Sequence, residues 1–132
     1  MEYLTDATFL VDLWRDRRRG GPATEFVTTH QLDAFSVSWV AKGEFLRGAV
    51  CAGTDRGRVE SFLEGFRTAF PTEATLAIYA DIYSALRGRN QLIGPHDLWI
   101  AASGLDLGVP LLTRNVAEFE RVSGLQVVNY SA

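Results

Sequence analysis

Residues that staple or load small domains are scarce in this sequence. Cys51 is its only cysteine, so no disulfide can form within the chain. His30 and His96 are its only histidines and lie far apart. That excludes a structural zinc site of the Cys/His type and argues against a catalytic one. Between Val50 and Ala52, the single thiol is expected to pack in the core rather than to react. No apolar run approaches the ~20 residues needed to span a bilayer. The opening "MEYLTDATFL" has acids where a secretory signal would carry a basic segment. The expectation is a cytoplasmic protein with no membrane role.

Positive charge is also in deficit, with 13 Lys and Arg against 16 Asp and Glu and a formal net charge of −3. Broad electrostatic attraction to nucleic acid is normally the work of a basic protein. Any nucleic-acid role must therefore use a local patch, and acids are free to gather in a site that needs cations. One basic run exists, "WRDRRRGG", holding Arg15, Arg17, Arg18 and Arg19. A solvated helix end is its expected role, since positive charge is favourable at a helix C-terminus. A phosphate-contacting loop or a partner contact is the alternative.

What is present suits one domain with a substantial core: 132 residues, 47% hydrophobic and 22% charged. "MEYLTD" reads as a first strand running into a turn at Asp6. Residues 8–16 place Leu10, Leu13 and Trp14 at helical spacing. Gly20, Gly21 and Pro22 break the chain, and Pro22 can open a second helix through about Leu32. "AFSVSWV" reads as a second strand and "AKGEFLRGAVCAG" as a helix ending near Gly53. Residues 55–70 put Val59, Phe62, Leu63, Phe66 and Phe70 on one face of an amphipathic helix, which Pro71 stops. The next helix, in residues 72–90, lines Ala74, Ile78, Ile82, Ala85 and Leu86 along one face. A further helix runs from Pro95 to near Gly108, followed by a buried strand "VPLLT", a helical turn "AEFERV" and a last strand "LQVVNY". Strands alternating with helices predict an α/β sandwich around a mostly parallel sheet.

In such a sheet, functional groups gather outside the carboxyl ends of the strands. Asp6 falls just after the first strand, and Thr113, Arg114 and Asn115 just after "VPLL". Glu44 lies early in the helix after the second strand, and Asp97 opens the helix leading into "VPLL". Taken alone, Asp97 after Pro95 is an ordinary helix-start signal, an acid at the positive end of the dipole. Converging with Asp6 and Glu44 it becomes a candidate site for Mg²⁺ or Mn²⁺, hard cations that take oxygen ligands. Like charges held together repel unless a cation neutralises them.

The stretches "MEYLTDATFLVDLW", "VAKGEFLRG", "IGPHDLWIAA" and "LLTRNVAEFERVSGLQVVNY" resemble the successive motifs of the PIN-domain family. They are most similar to its VapC-type toxins from toxin–antitoxin systems, in order and spacing over essentially the whole chain. The resemblance implies a PIN-like three-layer sandwich, a mostly parallel central sheet flanked by helices. It implies a Mg²⁺-dependent endoribonuclease, inhibited by a cognate antitoxin and usually dimeric. Asp6, Glu44 and Asp97 match its three principal acidic positions. Asn115 matches a fourth, which is Asp in many PIN nucleases and often Asn in "TRN" toxins. Glu118 stands where those toxins commonly carry Asp, and is the weaker metal ligand of the four carboxylates.

Among neighbouring residues, Thr113 could orient a metal-bound water or bond a carboxylate, or else cap backbone at the strand end. Arg114 could hold a scissile phosphate, although a surface ion pair is the favoured reading. His96 reads as a helix-start residue rather than a ligand. Asp12 and Asp16 are expected on the exposed side of the first helix. Trp14, Trp39 and Trp99 could stack on RNA bases, but their apolar settings favour core or interface roles. Leu10, Leu13, Trp14 and Phe26 are expected to contribute to a groove for an antitoxin segment. A non-catalytic PIN domain that binds RNA or protein is the second functional reading. A receiver or phosphatase is disfavoured: Lys42 is the only lysine, and the segment "DAT" departs from the DxDxT pattern.

Overall fold

The computed structural model describes all residues, Met1–Ala132. Its sheet is built from β1 (Glu2–Thr5), β2 (Ala34–Ser38), β3 (Arg67–Ala69), β4 (Leu111–Thr113) and β5 (Val127–Asn129). The strands lie in the order β3-β2-β1-β4-β5, and every neighbouring pair is parallel. The helices are α1 (Ala7–Arg15), α2 (Pro22–Thr29), α3 (Trp39–Cys51), α4 (Arg56–Leu63), α5 (Glu73–Gly88), α6 (Pro95–Leu107) and the single turn α7 (Val116–Phe119).

Parallel strands need crossover helices, and these cover both faces of the sheet, so adjacent strand residues are buried on opposite sides. Leu4 and Leu111 enter the larger core cluster with Val37, Phe45, Ile82, Leu98 and Ile100. Tyr3 and Leu112, one residue away, enter a second cluster with Phe9, Ala23 and Tyr130. This is the expected three-layer sandwich, with a sheet that is parallel throughout.

Three departures from the expected elements have local causes. Residues 55–70 do not form one helix. α4 ends at Leu63, the chain turns at Glu64 and Gly65, and Arg67–Ala69 pairs with Ser36–Ser38 as β3. Phe66 and Phe70 continue the helical spacing by coincidence, and Phe70 is 71% exposed. α2 stops three residues short of Leu32, which is fully exposed. The Thr29 hydroxyl donates to the carbonyls of Glu25 and Phe26, while the His30 ring bonds the Phe26 carbonyl, closing the helix end. β2 ends at Ser38 because that hydroxyl accepts the Val40 N–H and starts α3 at Trp39.

Smaller corrections concern single residues. Cys51 is exposed at the end of α3 rather than packed in the core. On α5, Ile82 and Leu86 are buried as expected, but Ala74 and Ala85 are exposed and Thr75 takes the inner position near the helix start.

Candidate active site

The strand order reverses between β1 and β4: β2 and β3 build outward on one side, β4 and β5 on the other. In open α/β sheets the crevice at such a switch point, beyond the carboxyl ends of the strands, is where functional groups converge. Asp6 leaves the end of β1 there, and Thr113 the end of β4.

Asp6 is almost wholly buried, at 3% exposure. It caps α1: Oδ1 accepts the Phe9 N–H at 3.0 Å and the Thr8 hydroxyl at 2.7 Å. Oδ2 accepts the Thr113 hydroxyl at 2.6 Å, and the Thr113 oxygen in turn accepts the Asn115 N–H at 2.8 Å. Burial pushes the Asp6 carboxyl above the usual range, opposed by these hydrogen bonds and by the positive charge of Arg114. Of the two roles open to Thr113, the carboxylate bond is the one it adopts, joining β4 to β1 at the site.

Asp97 stands in the first turn of α6, whose start carries no side-chain cap. Its carboxyl is pushed up to about 7, first by burial and then by a hydrogen bond to Glu118. The negative charges of Glu118, Asp6 and Glu44 add to the effect. Carboxyl groups from α1's cap, α3 and α7 therefore all act on Asp97 across the switch point. Asn115 donates its side-chain amide to Glu118 Oε2 at 3.1 Å, so the turn of α7 sets both on one side. Glu118 is thereby the carboxyl most strongly coupled to Asp97, ahead of Asp6 and Glu44. Glu44, in the second turn of α3, has Oε1 3.4 Å from His96 Nδ1, so His96 faces an acid of the cluster.

No three of the acidic, histidine or cysteine side chains draw together into a finished metal-ligand set. The donor chemistry nonetheless fits a hydrated Mg²⁺ or Mn²⁺. The donors are hard oxygens, burial and the neighbouring carboxyls together raise Asp97 to about 7, and Mg²⁺ is commonly bound by one or two carboxylates plus waters.

Asp12 departs from the expected solvated face. Its side chain is only 15% exposed, and Oδ2 accepts the Tyr130 hydroxyl at 2.6 Å and the Arg114 Nε–H at 2.9 Å. Arg114 is thus in the ion pair expected for it, with a partner that lies beside the Asp6 site. The sequence signal for this network was weak, because Tyr130 lies 118 residues from Asp12 and the β1–β4 and β4–β5 pairings bring their segments together. Trp39 and Trp99 meet at 5.8 Å and Tyr79 stacks on Trp99 at 3.8 Å, an aromatic cluster packed against the core. Leu10 is fully buried, and Leu13 and Phe26 pack on the second cluster, so these do not form one groove with Trp14. The groove that does include Trp14 is lined also by Val11, Phe45, Gly48 and Ala49, with Glu44 and Arg15 at its edge and a volume of about 320 Å³.

The model of the PIN domain family matches residues 3–125. The chain belongs to the PIN-domain family. Ribonuclease VapC1 of Haemophilus influenzae (strain R2866) is 28% identical to it over 132 residues, covering 96% of each chain. The solved VapBC-1 from nontypeable Haemophilus influenzae superposes on this PIN domain with a TM-score of 0.85 and 26% identity, over the full length of both chains. A toxin–antitoxin complex from Klebsiella pneumoniae matches with a TM-score of 0.72 and 25% identity, over 97% of each.

Proposed function

We propose that this PIN domain is a VapC-type toxin, an endoribonuclease that hydrolyses RNA phosphodiester bonds at a carboxylate-held Mg²⁺ centre and is neutralised by a cognate antitoxin. The observation that carries this reading is the convergence of Asp97 with Glu118, Asp6 and Glu44 at the switch point of the sheet, where burial first and then these carboxyls push Asp97 up to about 7. Perturbed acids in such a crevice mark functional sites. The similar proteins named Ribonuclease VapC1 and the similar toxin–antitoxin complex support the substrate class and the partner.

Asp6, Asp97 and Glu118 would hold the cation, with Glu44 close by and Asn115 offering a neutral oxygen. Bound Mg²⁺ or Mn²⁺ supplies Lewis acidity at the scissile phosphate and a more acidic water. The chain's own part is positional. Thr113 fixes the rotation of the Asp6 carboxyl through Oδ2, and Asp12 holds Arg114 at the rim, where its guanidinium can contact a phosphate oxygen. As a ligand Asp97 would have to be deprotonated, which would couple metal binding to pH. An antitoxin segment would lie in the groove of Val11, Trp14 and Phe45, with an arginine reaching the carboxylates. The chain would assemble as a homodimer or, with its antitoxin, as an inhibited hetero-oligomer.

Purified, antitoxin-free protein should cleave RNA with Mg²⁺ or Mn²⁺ and not in chelator, and Asp97→Asn should lower cleavage by orders of magnitude while remaining folded. Cleavage in chelator, or undiminished cleavage by the folded variant, sinks the mechanism. A second reading, a PIN domain that binds RNA or protein without cutting it, is favoured by one observation. Both Asp6 oxygens are already engaged by internal donors, as in a site that serves structure. Its signature is RNA or antitoxin binding with no cleavage under any metal condition.

A further inference from the structure

Arg17, from the arginine run after α1, lines a cleft that shares Trp14 with the groove reaching Glu44. Trp14 is the hinge of this surface. One side of its indole lines the groove that holds Glu44 and Arg15 at its edge. It also lines a neighbouring cleft of about 520 Å³ with Arg17, Asp55, Gly57, Arg58, Ser61 and Phe62. Arg17 lies flat over the ring, 3.8 Å from its centre, and donates to the Trp14 carbonyl; Arg58 approaches the same ring at 5.9 Å. Phe45 and Phe62 meet the indole edge-on and hold it in place.

Six arginines, Arg15, Arg17, Arg18, Arg19, Arg56 and Arg58, belong to the two segments facing this cleft, and all are exposed. None forms an ion pair, although Arg67 and Arg114 elsewhere in the chain do. Three carboxylates, Asp16, Asp55 and Glu60, lie in the same segments against these six arginines, and Asp55 is engaged in capping α4 through the Arg58 N–H. Uncompensated positive charge so concentrated is at odds with a net charge of −3. A solvated helix end accounts for Arg15 to Arg19 but not for Arg58 arriving from α4 beside them.

We propose that Arg17 and Arg58, flanking Trp14, form a phosphate-binding tract that carries the RNA strand next to the scissile bond, leading away from the acids past Glu44. The inference rests on the ribonuclease reading above. A guanidinium stacked on an aromatic face is pre-oriented, so less side-chain freedom is lost when a phosphate binds. Backbone contacts of this kind position a strand without reading its sequence. An acidic protein segment would be attracted by the same charge. The shared wall with the Glu44 groove favours RNA, because a strand cut at the acids must continue along a neighbouring surface.

The test is equilibrium binding of a labelled single-stranded RNA in chelator, across a salt series, for wild type, Arg17→Ala/Arg58→Ala and Arg17→Lys/Arg58→Lys. Circular dichroism melts check that each is folded. Two lost phosphate contacts should reduce the slope of log affinity against log salt by about 1.4 for a single strand. The alanine variant should bind markedly more weakly, and the lysine variant should recover most of the slope. If wild type cleaves RNA with Mg²⁺ while the alanine variant keeps its affinity and slope, the tract is overturned and the ribonuclease reading stands. If the slope falls but neither protein cuts RNA with any metal, the tract is supported and the catalytic reading fails. If RNA binding is unchanged and only antitoxin binding weakens, the patch is a protein contact and the proposal is wrong. Wild type that neither binds nor cuts RNA overturns both.

Discussion

Asp12 and Asp16 sit four residues apart on or beside the first helix, yet only Asp12 is drawn inward, by Tyr130 and Arg114. A hydrogen bond to a charged acceptor is worth about 1.5–3 kcal/mol when its partner is removed. Asp12→Ala should therefore lower stability by about 1–3 kcal/mol in denaturant or thermal melts, whereas Asp16→Ala should change it by less than about 0.5 kcal/mol. Equal, small effects would return Asp12 to the solvated face that helical periodicity assigns it. At the acid cluster, Glu118→Gln removes both a charge and the carboxyl hydrogen bond that hold Asp97 up. The Asp97 carboxyl should fall below about 7, with burial still holding it above its ordinary value of 3.8, read by carboxyl-carbon NMR titration. Cleavage should then need more Mg²⁺ to reach half its maximum. An unmoved Mg²⁺ requirement makes Glu118 a neighbour of the site and not a ligand. Acid positions at strand ends were legible in the sequence because topology puts them there. Which acids touch which was not, since that depends on rotamers and on residues such as Tyr130 at the far end of the chain.

At the scale of elements, the sequence marks starts well, because caps are local chemistry. Pro22 and Pro95 open α2 and α6, and Gly108, at φ 68°, ends α6 in a left-handed turn that glycine adopts without strain. Ends set by the sheet are harder to read. β3 was invisible because its pairing with β2 is a tertiary event, while Phe62, Phe66 and Phe70 keep a helical period across the break. α3 runs through two glycines, Gly43 and Gly48, which lower its intrinsic helix propensity. A methyl group at Gly43 would meet no atom within 4 Å. Gly43→Ala should thus stabilise the protein by about 0.5–1 kcal/mol, through helix propensity and a less flexible unfolded chain. A destabilised variant in urea melts would mean that this turn of α3 needs glycine for a contact outside the monomer.

For the molecule as a whole, the proposed cation site implies that the acid cluster costs the metal-free fold some stability. Asp97 has an ordinary carboxyl value of 3.8 and about 7 in the folded protein, so folding binds a proton between those values. Stability contributed by the protonated form is present below about 4 and is lost as pH rises through about 7. The full displacement corresponds to about 4 kcal/mol, which solvent screening of a half-buried group reduces to about 1–2 kcal/mol. In chelator, Asp97→Asn should match wild type near pH 4 and exceed it by about 1–2 kcal/mol at pH 8. Mg²⁺ should reverse that order. At tenfold above its dissociation constant a ligand bound only by the folded state adds about 1.4 kcal/mol. In a chain of this length that is roughly a 4–8 °C rise in melting temperature. Wild type should show this rise with Mg²⁺ or Mn²⁺ at pH 8, and Asp97→Asn should show little of it. If Asp97→Asn is instead less stable in chelator at pH 8, and wild type gains nothing from either cation, Asp97 serves the positive end of α6 and the cluster holds no metal.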